Sequence, residues 1–304
     1  MEYILETKNL SKKYKNYQAI NNFNIHIEKG AIYGLIGRNG VGKTTLMRII
    51  TGLQKPTSGN YYIYGIENNS KEITTVRKKI GAIIETPAIC SDMTAKENLI
   101  EQSKIIGLTD YKNIEEILKL IGLSNTNQKK AKNFSLGMKQ RLAIGISLIG
   151  EPEFIILDEP INGLDPEGII EIRELILKLN KEKEITFLIS SHNLDELSKI
   201  ATHYGFIDKN GKIKEISNEE IKNISKSYIR MKVSNAEICT EYLNEKKIPN
   251  KIISEEEIEI YEKINISELV IELSNLKCSV NELTEHEESL EKYYLNLVGE
   301  AENE

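Results

Sequence analysis

The fold is decided by the stretch Gly37-Arg38-Asn39-Gly40-Val41-Gly42-Lys43-Thr44, which lies near the start of a 304-residue sequence. An apolar run at 31–36 precedes it and apolar residues at helical spacing follow it, so the stretch joins a buried strand to a helix. Glycines let a backbone curl closely around an anion, and the N–H groups of a helix N-terminus attract negative charge. The pattern G-x-x-x-x-G-K-[ST] at such a turn therefore predicts a loop that binds nucleotide phosphates.

Two side chains of this loop carry its predicted chemistry. Lys43 is long enough to reach the β- and γ-phosphates of a nucleotide, and the Thr44 hydroxyl can ligate Mg²⁺. The cofactors that we expect are therefore ATP and Mg²⁺. The remaining predicted nucleotide contacts come from Gly37, Arg38, Asn39, Gly40, Val41, Gly42 and Thr45.

A second candidate site follows the apolar run at 154–157, where Asp158 and Glu159 are adjacent. Open α/β sheets bind their ligands at the carboxyl ends of the strands. We expect Asp158 to face the hydrated Mg²⁺ and Glu159 to polarise an attacking water as a general base. Alone, two carboxylates after a strand could simply begin a loop, but the phosphate loop earlier in the chain favours catalysis.

Strands alternate with helices over the first two thirds of the chain, which predicts a mostly parallel α/β sheet. The segment 86–132 is predicted to be mostly helical, a helix is expected over 166–180 and a strand over 185–189. The pattern changes after about residue 217, so we predict two domains, 1–220 and 221–304. In the second we expect strands at 228–233 and 258–261 and helices at 237–246, 266–276 and 289–298.

Composition narrows the class of protein. Hydrophobic residues make up 40% and charged residues 28% of the chain, as in ordinary globular proteins, and the net charge of −6 disfavours a nucleic-acid partner. Cys90, Cys239 and Cys278 are far apart, which indicates free thiols rather than a disulfide framework. We find no signal-peptide pattern and no apolar run of about 20 residues, so a role at a membrane would need a partner that spans it.

A resemblance to a known family rests on the stretch Phe134-Ser135-Leu136-Gly137-Met138-Lys139-Gln140-Arg141. It resembles the Leu-Ser-Gly-Gly-Gln signature of ABC ATPases: Ser135 and Gly137 match the serine and second glycine, whereas Leu136 and Met138 depart from the motif. The resemblance implies that Ser135, Gly137 and the helix N-terminus cap the γ-phosphate of ATP bound to a second subunit. By itself, Ser-x-Gly is an ordinary helix cap.

Three shorter elements extend the resemblance. Gly163-Leu164-Asp165 is similar to the D-loop, which implies that Asp165 lies at the contact with the second subunit. His192 ends the next apolar strand and matches the switch histidine, which implies a contact with the γ-phosphate. Tyr14 stands where the family has an aromatic residue that stacks on adenine, although Tyr17 is a near competitor.

One departure from the family is informative. Most members have a glutamine where this chain has Glu85, in a loop that the resemblance implies links the nucleotide and its Mg²⁺ to the membrane partner. A carboxylate is a charged Mg²⁺ ligand, but it adds repulsion near the phosphates. Glu85 is similar to the E-loop of lantibiotic-immunity ATPases, which favours the bacitracin-resistance and lantibiotic-immunity branch. The alternative is that glutamate is simply tolerated at position 85 and carries no information about the transported substrate.

The resemblance spans about residues 2–220 and implies both fold and function. The expected fold is an α/β P-loop NTPase core of the ABC ATPase type, with an antiparallel β subdomain, a helical subdomain and a small α+β C-terminal domain. The expected function is ATP hydrolysis in an ABC transporter that expels a peptide antibiotic. The implied partners are a transmembrane permease, which would hold the chain at the cytoplasmic face of the membrane, and a second copy that completes an ATP sandwich.

Two other functions stay open. A soluble ABC ATPase acting on ribosomes or DNA commonly has two phosphate loops or a long coiled-coil insertion, and neither is present in this sequence. A sensor could bind ATP without turning it over. The presence of Lys43, Asp158, Glu159 and His192 argues against that class.

Overall fold

The computed structural model describes residues 2–207, 212–224, 228–262, 264–286 and 294. These residues form two compact units that divide after Asn218, two residues before the predicted boundary. Within the described part of the chain, no helix combines the length and the apolar character that crossing a membrane requires.

The first unit contains the phosphate loop and alternates strands with helices. Its strands are β1 (Tyr3–Tyr14), β2 (Tyr17–Phe23), β3 (His26–Glu28), β4 (Ile32–Ile36), β5 (Ser58–Ile63), β6 (Ile66–Glu67), β7 (Ile80–Ile83), β8 (Phe154–Asp158), β9 (Thr186–Ser191), β10 (His203–Ile207) and β11 (Ile213–Ser217). Its helices are α1 (Lys43–Ile50), α2 (Ile73–Arg77), α3 (Ala95–Ile105), α4 (Ile114–Leu120), α5 (Leu136–Ser147), α6 (Pro166–Lys183) and α7 (Leu194–Ser198).

The central sheet confirms the mostly parallel sheet that the sequence predicts. Its strand order is β11-β10-β4-β9-β8-β7, and every neighbouring pair except β10 with β11 is parallel. Strands β4, β8 and β9 are buried at every position, as expected for parallel strands covered on both faces. Because these three strands run the same way, the phosphate loop, Asp158 and Ser191 follow or end them at one edge of the sheet.

A second, antiparallel sheet has the order β2-β1-β5-β6, with β3 also paired to β1. A carboxylate links it to the central sheet: Glu215 in β11 accepts hydrogen bonds from the Tyr33 hydroxyl (2.8 Å) and from the backbone N–H of His26 in β3 (2.8 Å). Burial, together with Glu215, raises the pKa of Tyr33, so its hydroxyl stays protonated and remains a donor.

The helical part of the first unit is less helical than predicted. Over 86–132 the structure has α3, α4 and two 3₁₀ turns, Ser124–Thr126 and Ala131–Asn133, connected by loops. Gly107 and Gly122 follow α3 and α4 at φ angles of 86° and 67°. Glycine adopts this left-handed conformation at little cost, so the two residues end these helices.

The second unit is a small α+β arrangement. After α8 (Asn218–Ile224), which lies at the division, come β12 (Tyr228–Val233), α9 (Ala236–Glu245), β13 (Asn250–Ser254), β14 (Glu257–Ile260), α10 (Ile266–Asn275) and β15 (Val280–His286). Its sheet is antiparallel with the order β13-β14-β12-β15. Strands β13 and β15 were not predicted, and the helix predicted at 289–298 lies outside the described residues.

The thiols offer a first test of the packing. Cys239 and Cys278 are buried in the second unit, whereas Cys90 is exposed. Burial raises the pKa of Cys239 to about 12, so its thiolate fraction at pH 8 should be about a thousandfold below that of an unperturbed thiol. We expect a thiol reagent at pH 8 to label one equivalent quickly and Cys90→Ser to abolish that labelling. Fast labelling of two or three thiols in the folded protein would contradict the packing.

Candidate functional site

The phosphate loop lies between β4 and α1, and its backbone requires glycine. Gly40 and Gly42 have φ angles of 84° and 105°, and a Cβ atom on Gly42 would lie 2.3 Å from the carbonyl oxygen of Ala19. The first turn of α1 receives no side-chain cap. Its first N–H groups therefore have no capping side chain, and an anion bound in the loop can accept hydrogen bonds from them.

Lys43 places a positive charge at the centre of this loop. Its side chain is only 6% exposed, and its Nζ donates a hydrogen bond to the carbonyl oxygen of Gly37 at 2.6 Å. The same ammonium lies 3.6 Å from Oε1 of Glu159. Because these contacts already hold the Lys43 ammonium in position, binding phosphate oxygens would cost less side-chain entropy.

Thr44 and Asp158 form the part of the site suited to a metal ion. The Thr44 hydroxyl donates to Oδ2 of Asp158 at 2.7 Å, and the Ser190 hydroxyl donates to Oδ1 at 2.5 Å. A hydroxyl and a carboxylate are the hard oxygen donors that Mg²⁺ takes, usually with nucleotide oxygens and water as further ligands. Among the described residues, no group of three or more His, Cys, Asp and Glu side chains is arranged to hold a metal. The protein donors thus fit a Mg²⁺ ion that nucleotide phosphates help to hold.

Glu159 lies between two basic groups. Its Oε2 is 2.6 Å from Nδ1 of His192, its Oε1 faces Lys43, and its backbone N–H donates to Oγ of Ser190 at 2.9 Å. Its φ of 49° is unusual for a residue other than glycine, and such conformations are concentrated at functional sites. The carboxylate is 22% exposed, so water can reach it while its neighbours hold it in place, as the predicted role of general base requires.

The signature and D-loop residues lie at helix starts. Ser135 caps α5 by accepting a hydrogen bond from the N–H of Met138 at 3.2 Å, and Asp165 caps α6 by accepting from Gly168 at 3.0 Å. The two helices are close there, since a Cβ on Gly137 would lie 3.7 Å from the Cα of Gly168. Within the described residues, no hydrogen bond or ion pair joins Ser135 or Asp165 to Lys43. Their predicted contact with ATP on a second subunit stays a prediction.

Among the described residues, no hydrogen bond joins Glu85 to Thr44 or Asp158. Glu85 follows β7 and forms a 2.5 Å ion pair with Arg48 of α1. Its predicted role as a Mg²⁺ ligand stays a prediction.

The two candidate adenine-stacking residues face each other across β1 and β2. Tyr14 donates its hydroxyl to Gln54, and the ammonium of Lys12 lies 5.2 Å from the centre of its ring. Tyr17 is more exposed, 55% against 38%, and donates its hydroxyl to the carbonyl oxygen of Gly40 at 2.5 Å. The choice between the two tyrosines therefore stays open, and Tyr17 is the one that contacts the phosphate loop.

Two contacts of the site were not predicted. Ser190 holds both Asp158 and Glu159, and Arg48 holds Glu85. The only signal for Ser190 was its position at the end of a buried strand. Nothing in the spacing of Arg48 and Glu85, 37 residues apart, indicated their pairing.

Removing the Ser190 hydroxyl provides a second test. Ser190→Ala would leave Oδ1 of Asp158 and the N–H of Glu159 without this buried partner, which costs about 1–3 kcal/mol of folding free energy. We expect ATP turnover to fall roughly tenfold because both carboxylates lose a positioning contact. Denaturant unfolding and steady-state ATPase assays measure the two effects. Ser198→Ala, at an exposed serine of α7, is the control, and equal effects of both substitutions would rule out a special role for Ser190.

Comparison with known proteins agrees with this geometry. Residues 20–162 match the family model described as ABC transporter. The chain is 38% identical over 301 residues to the bacitracin transport ATP-binding protein BcrA of Enterococcus faecalis, covering 98% of this chain and 97% of that protein. It is 44% identical over 204 residues to the lantibiotic transport ATP-binding protein SrtF of Streptococcus pyogenes, covering 67% and 86%.

A solved structure gives the same result for the fold. It is a dimeric ATP-binding cassette in a post-hydrolysis state bound to ADP and Pi, 29% identical, with a TM-score of 0.62 over 70% of this chain and 98% of that one. The expected ABC ATPase core is thereby confirmed, and nothing in the comparisons supports the alternative of a soluble ATPase acting on ribosomes or DNA. The chain belongs to the ATP-binding, ATP-hydrolysing subunits of ABC transporters.

Proposed function

We propose that this subunit powers the expulsion of a peptide antibiotic of the bacitracin or lantibiotic type. The observation that carries the proposal is the extent of the similarity to the bacitracin transport protein, which includes nearly the whole chain. The lantibiotic transport protein matches over two thirds of it. The predicted nucleotide site, with Lys43, Asp158, Glu159 and His192 in contact or close to one another, supports an active motor rather than a passive sensor.

In the proposed cycle, two copies enclose two ATP molecules. The loop 37–45 of one copy binds the phosphates, and Ser135 and Gly137 of the other copy approach the γ-phosphate. Thr44 and Asp158 would hold a Mg²⁺ ion, whose charge would offset the negative charge of the phosphates. Glu159 takes a proton from the attacking water, while His192 keeps the carboxylate oriented. Hydrolysis then lets the two copies separate.

An open groove in the first unit suits the proposed permease. Its volume is about 840 Å³, and it is bordered by β7, the loop after it, α3 and α5. Large apolar side chains are exposed along it, including Leu53 at 69% and Ile105 at 71%. Exposed apolar surface of this kind marks contact sites, and a short helix of a membrane subunit would bury it. We propose that this contact holds the protein at the cytoplasmic face of the membrane.

The proposed function can be tested in cells. The full-length protein, purified from detergent-solubilised membranes, should bring a permease with it, and Ile105→Asp in the groove should weaken that association. Loss of the gene should increase sensitivity to bacitracin or to a lantibiotic. Unchanged sensitivity to both would overturn the substrate class, and the absence of any membrane subunit in the purified material would overturn the proposed partner.

Glu85 provides a separate prediction about coupling. Glu85→Gln removes a charge from the loop that borders the groove and keeps the shape of the side chain. We expect nucleotide binding to persist, while antibiotic tolerance falls severalfold because binding is less well linked to the permease. Tolerance and nucleotide binding are measured on the same variant, with Glu115→Gln, at an exposed glutamate of α4, as the control. Unchanged tolerance would show that Glu85 has no special role.

A further inference from the structure

The start of β2 lies directly against the phosphate loop and contacts two of its glycines. The hydroxyl of Tyr17 donates a hydrogen bond to the carbonyl oxygen of Gly40 at 2.5 Å. Two residues further along β2, the carbonyl oxygen of Ala19 comes so close to Gly42 that a Cβ atom there would lie 2.3 Å away. The ring of Tyr17 is 55% exposed, so its burial contributes little to the core, and its hydroxyl makes the more specific contact.

The backbone at Gly40 has open space around it, in contrast to the backbone at Gly42. Its φ is 84°, and a Cβ atom placed on Gly40 would meet nothing within 4 Å. Glycine adopts positive and negative φ about equally well, so its own sterics do little to fix the peptide group that joins it to Val41. The hydrogen bond from Tyr17 is a contact that does fix this peptide group.

The orientation of that peptide group decides where the N–H of Val41 points. A trans peptide is planar, so its C=O and N–H groups point in opposite directions. Tyr17 holds the carbonyl oxygen of Gly40 on the side of β2. On the other side, the N–H of Val41 makes a long contact with the carbonyl oxygen of Arg38 at 3.4 Å, and Nζ of Lys43 donates to the same oxygen at 3.4 Å. The N–H of Val41 therefore points into the loop, where the ammonium predicted to bind phosphates lies.

We propose that Tyr17 is a positioning residue of the phosphate loop, whose hydroxyl fixes the peptide between Gly40 and Val41 with its N–H directed at bound phosphates. It acts on the phosphates through the backbone, so its contribution does not depend on the adenine ring. Without the hydroxyl, the peptide rotates more freely, and the carbonyl oxygen of Gly40 then faces the phosphates part of the time and repels them. This inference rests on the proposed binding of phosphates by the loop 37–45.

Two substitutions of Tyr17 separate the hydroxyl from the ring. Tyr17→Phe removes only the hydroxyl, whereas Tyr17→Ala removes the ring as well. A neutral hydrogen bond that orients a binding group changes affinity by a factor of about five. We expect the Kd of the full-length protein for a non-hydrolysable ATP analogue with Mg²⁺ to rise about fivefold in both variants. If Tyr17 acted by stacking on adenine, Tyr17→Phe would bind the analogue normally and only Tyr17→Ala would lose affinity.

Inorganic tripolyphosphate tests the same loop with a ligand that has no base. Its Kd is measured with Mg²⁺ by displacement of a fluorescent ATP analogue. We expect this Kd to rise about fivefold in Tyr17→Phe, the same factor as for the nucleotide, because the hydroxyl acts only on the phosphates. Tyr111→Phe makes the same chemical change at an exposed tyrosine elsewhere and should leave both Kd values unchanged.

The amide of Val41 reports the orientation of the peptide directly. The chain has six valines, so selective ¹⁵N-valine labelling gives few amide signals, and Val41→Ile identifies the one of interest by its loss. A hydrogen bond to phosphate moves an amide proton downfield. We expect saturating tripolyphosphate to move the Val41 signal less far downfield in Tyr17→Phe than in the wild-type protein. A substitution that only lowered the stability of the fold would not change this shift.

Two results would overturn the inference: normal affinity for the ATP analogue in Tyr17→Phe, or a loss of affinity for the analogue that tripolyphosphate does not share. In both cases, binding of the analogue by the wild-type protein would still support the phosphate loop as the nucleotide site. If the wild-type protein bound neither ligand, the proposed role of the loop and the inference would both be wrong.

Discussion

Glu159→Gln is expected to lower ATP turnover by about 10²–10⁴-fold while leaving nucleotide binding intact. This is the range that a positioned general base contributes to an enzymatic rate. The amide keeps the size and shape of the carboxylate, but it does not accept a proton from water. A steady-state ATPase assay measures the loss, and binding of radiolabelled ATP shows that the site is still filled.

The surroundings of Glu159 explain why binding should survive. Lys43 and Thr44 keep their positions, because their hydrogen bonds to Gly37 and Asp158 do not involve Glu159. The amide can still bond to His192, which lies 2.6 Å from the carboxylate. Loss of a negative charge near the phosphates also removes a repulsion. ATP should therefore stay bound, and two copies should remain associated around it long enough to be seen by size-exclusion chromatography.

The control is Glu182→Gln, which makes the same chemical change at an exposed position near the end of α6. It should leave turnover at the wild-type rate. If Glu159→Gln also turned over normally, the base would be another group, and the contact between Glu159 and His192 would be structural. If turnover and binding fell together, Glu159 would serve mainly to hold the loop.

The phosphate loop and the end of β8 could be predicted from sequence because their chemistry is local. Gly42 and Lys43 lie in one short motif, and Asp158 and Glu159 directly follow an apolar run. The positive φ that Gly42 adopts and the 6% exposure of Lys43 match what the motif requires. Such motifs combine the turn, the helix start and the reactive group in a few adjacent positions.

The contacts that hold these groups could not be predicted, because they depend on the register between distant strands. Ser190 meets Asp158 because β8 and β9 are adjacent and their paired positions bring these residues together. Arg48 meets Glu85 because α1 and the end of β7 approach each other. Neither residue belongs to a motif that would mark it.

The strands β13 and β15 were missed for a different reason. Four of the five residues of β13 are exposed, so no apolar alternation marks a buried face. Charged residues are frequent in β15, and one of them, Glu282, pairs with Lys232 of β12. Both strands lie at the edges of their sheet. A side chain there packs against fewer neighbours, so the strand needs fewer β-branched and aromatic residues. The central strand β12 alternates buried with less buried positions and was predicted correctly.

Lys43→Met is expected to reduce ATP affinity about a hundredfold, the loss that follows when a charged hydrogen bond of up to about 3 kcal/mol is removed. Methionine keeps the unbranched shape that a side chain only 6% exposed requires, so the fold should remain. The test is thermal or denaturant unfolding with and without ATP. At an ATP concentration 100 times the wild-type Kd, ATP binding should raise the free energy of unfolding of the wild-type protein by about 2.7 kcal/mol. For the variant, the same ATP concentration equals its Kd. The free energy of unfolding should therefore rise by only about 0.4 kcal/mol.

Unfolding without nucleotide provides the internal control for that comparison. The ammonium of Lys43 faces both the Gly37 carbonyl and Glu159, so its loss can also change the stability of the free protein. Measuring the difference between the two conditions removes that contribution. Lys178→Ala, at an exposed lysine of α6, should keep the full stabilisation by ATP. If Lys43→Met kept it as well, the phosphates would be held mainly by the backbone N–H groups of the loop and α1, and the buried ammonium would instead serve to hold Glu159.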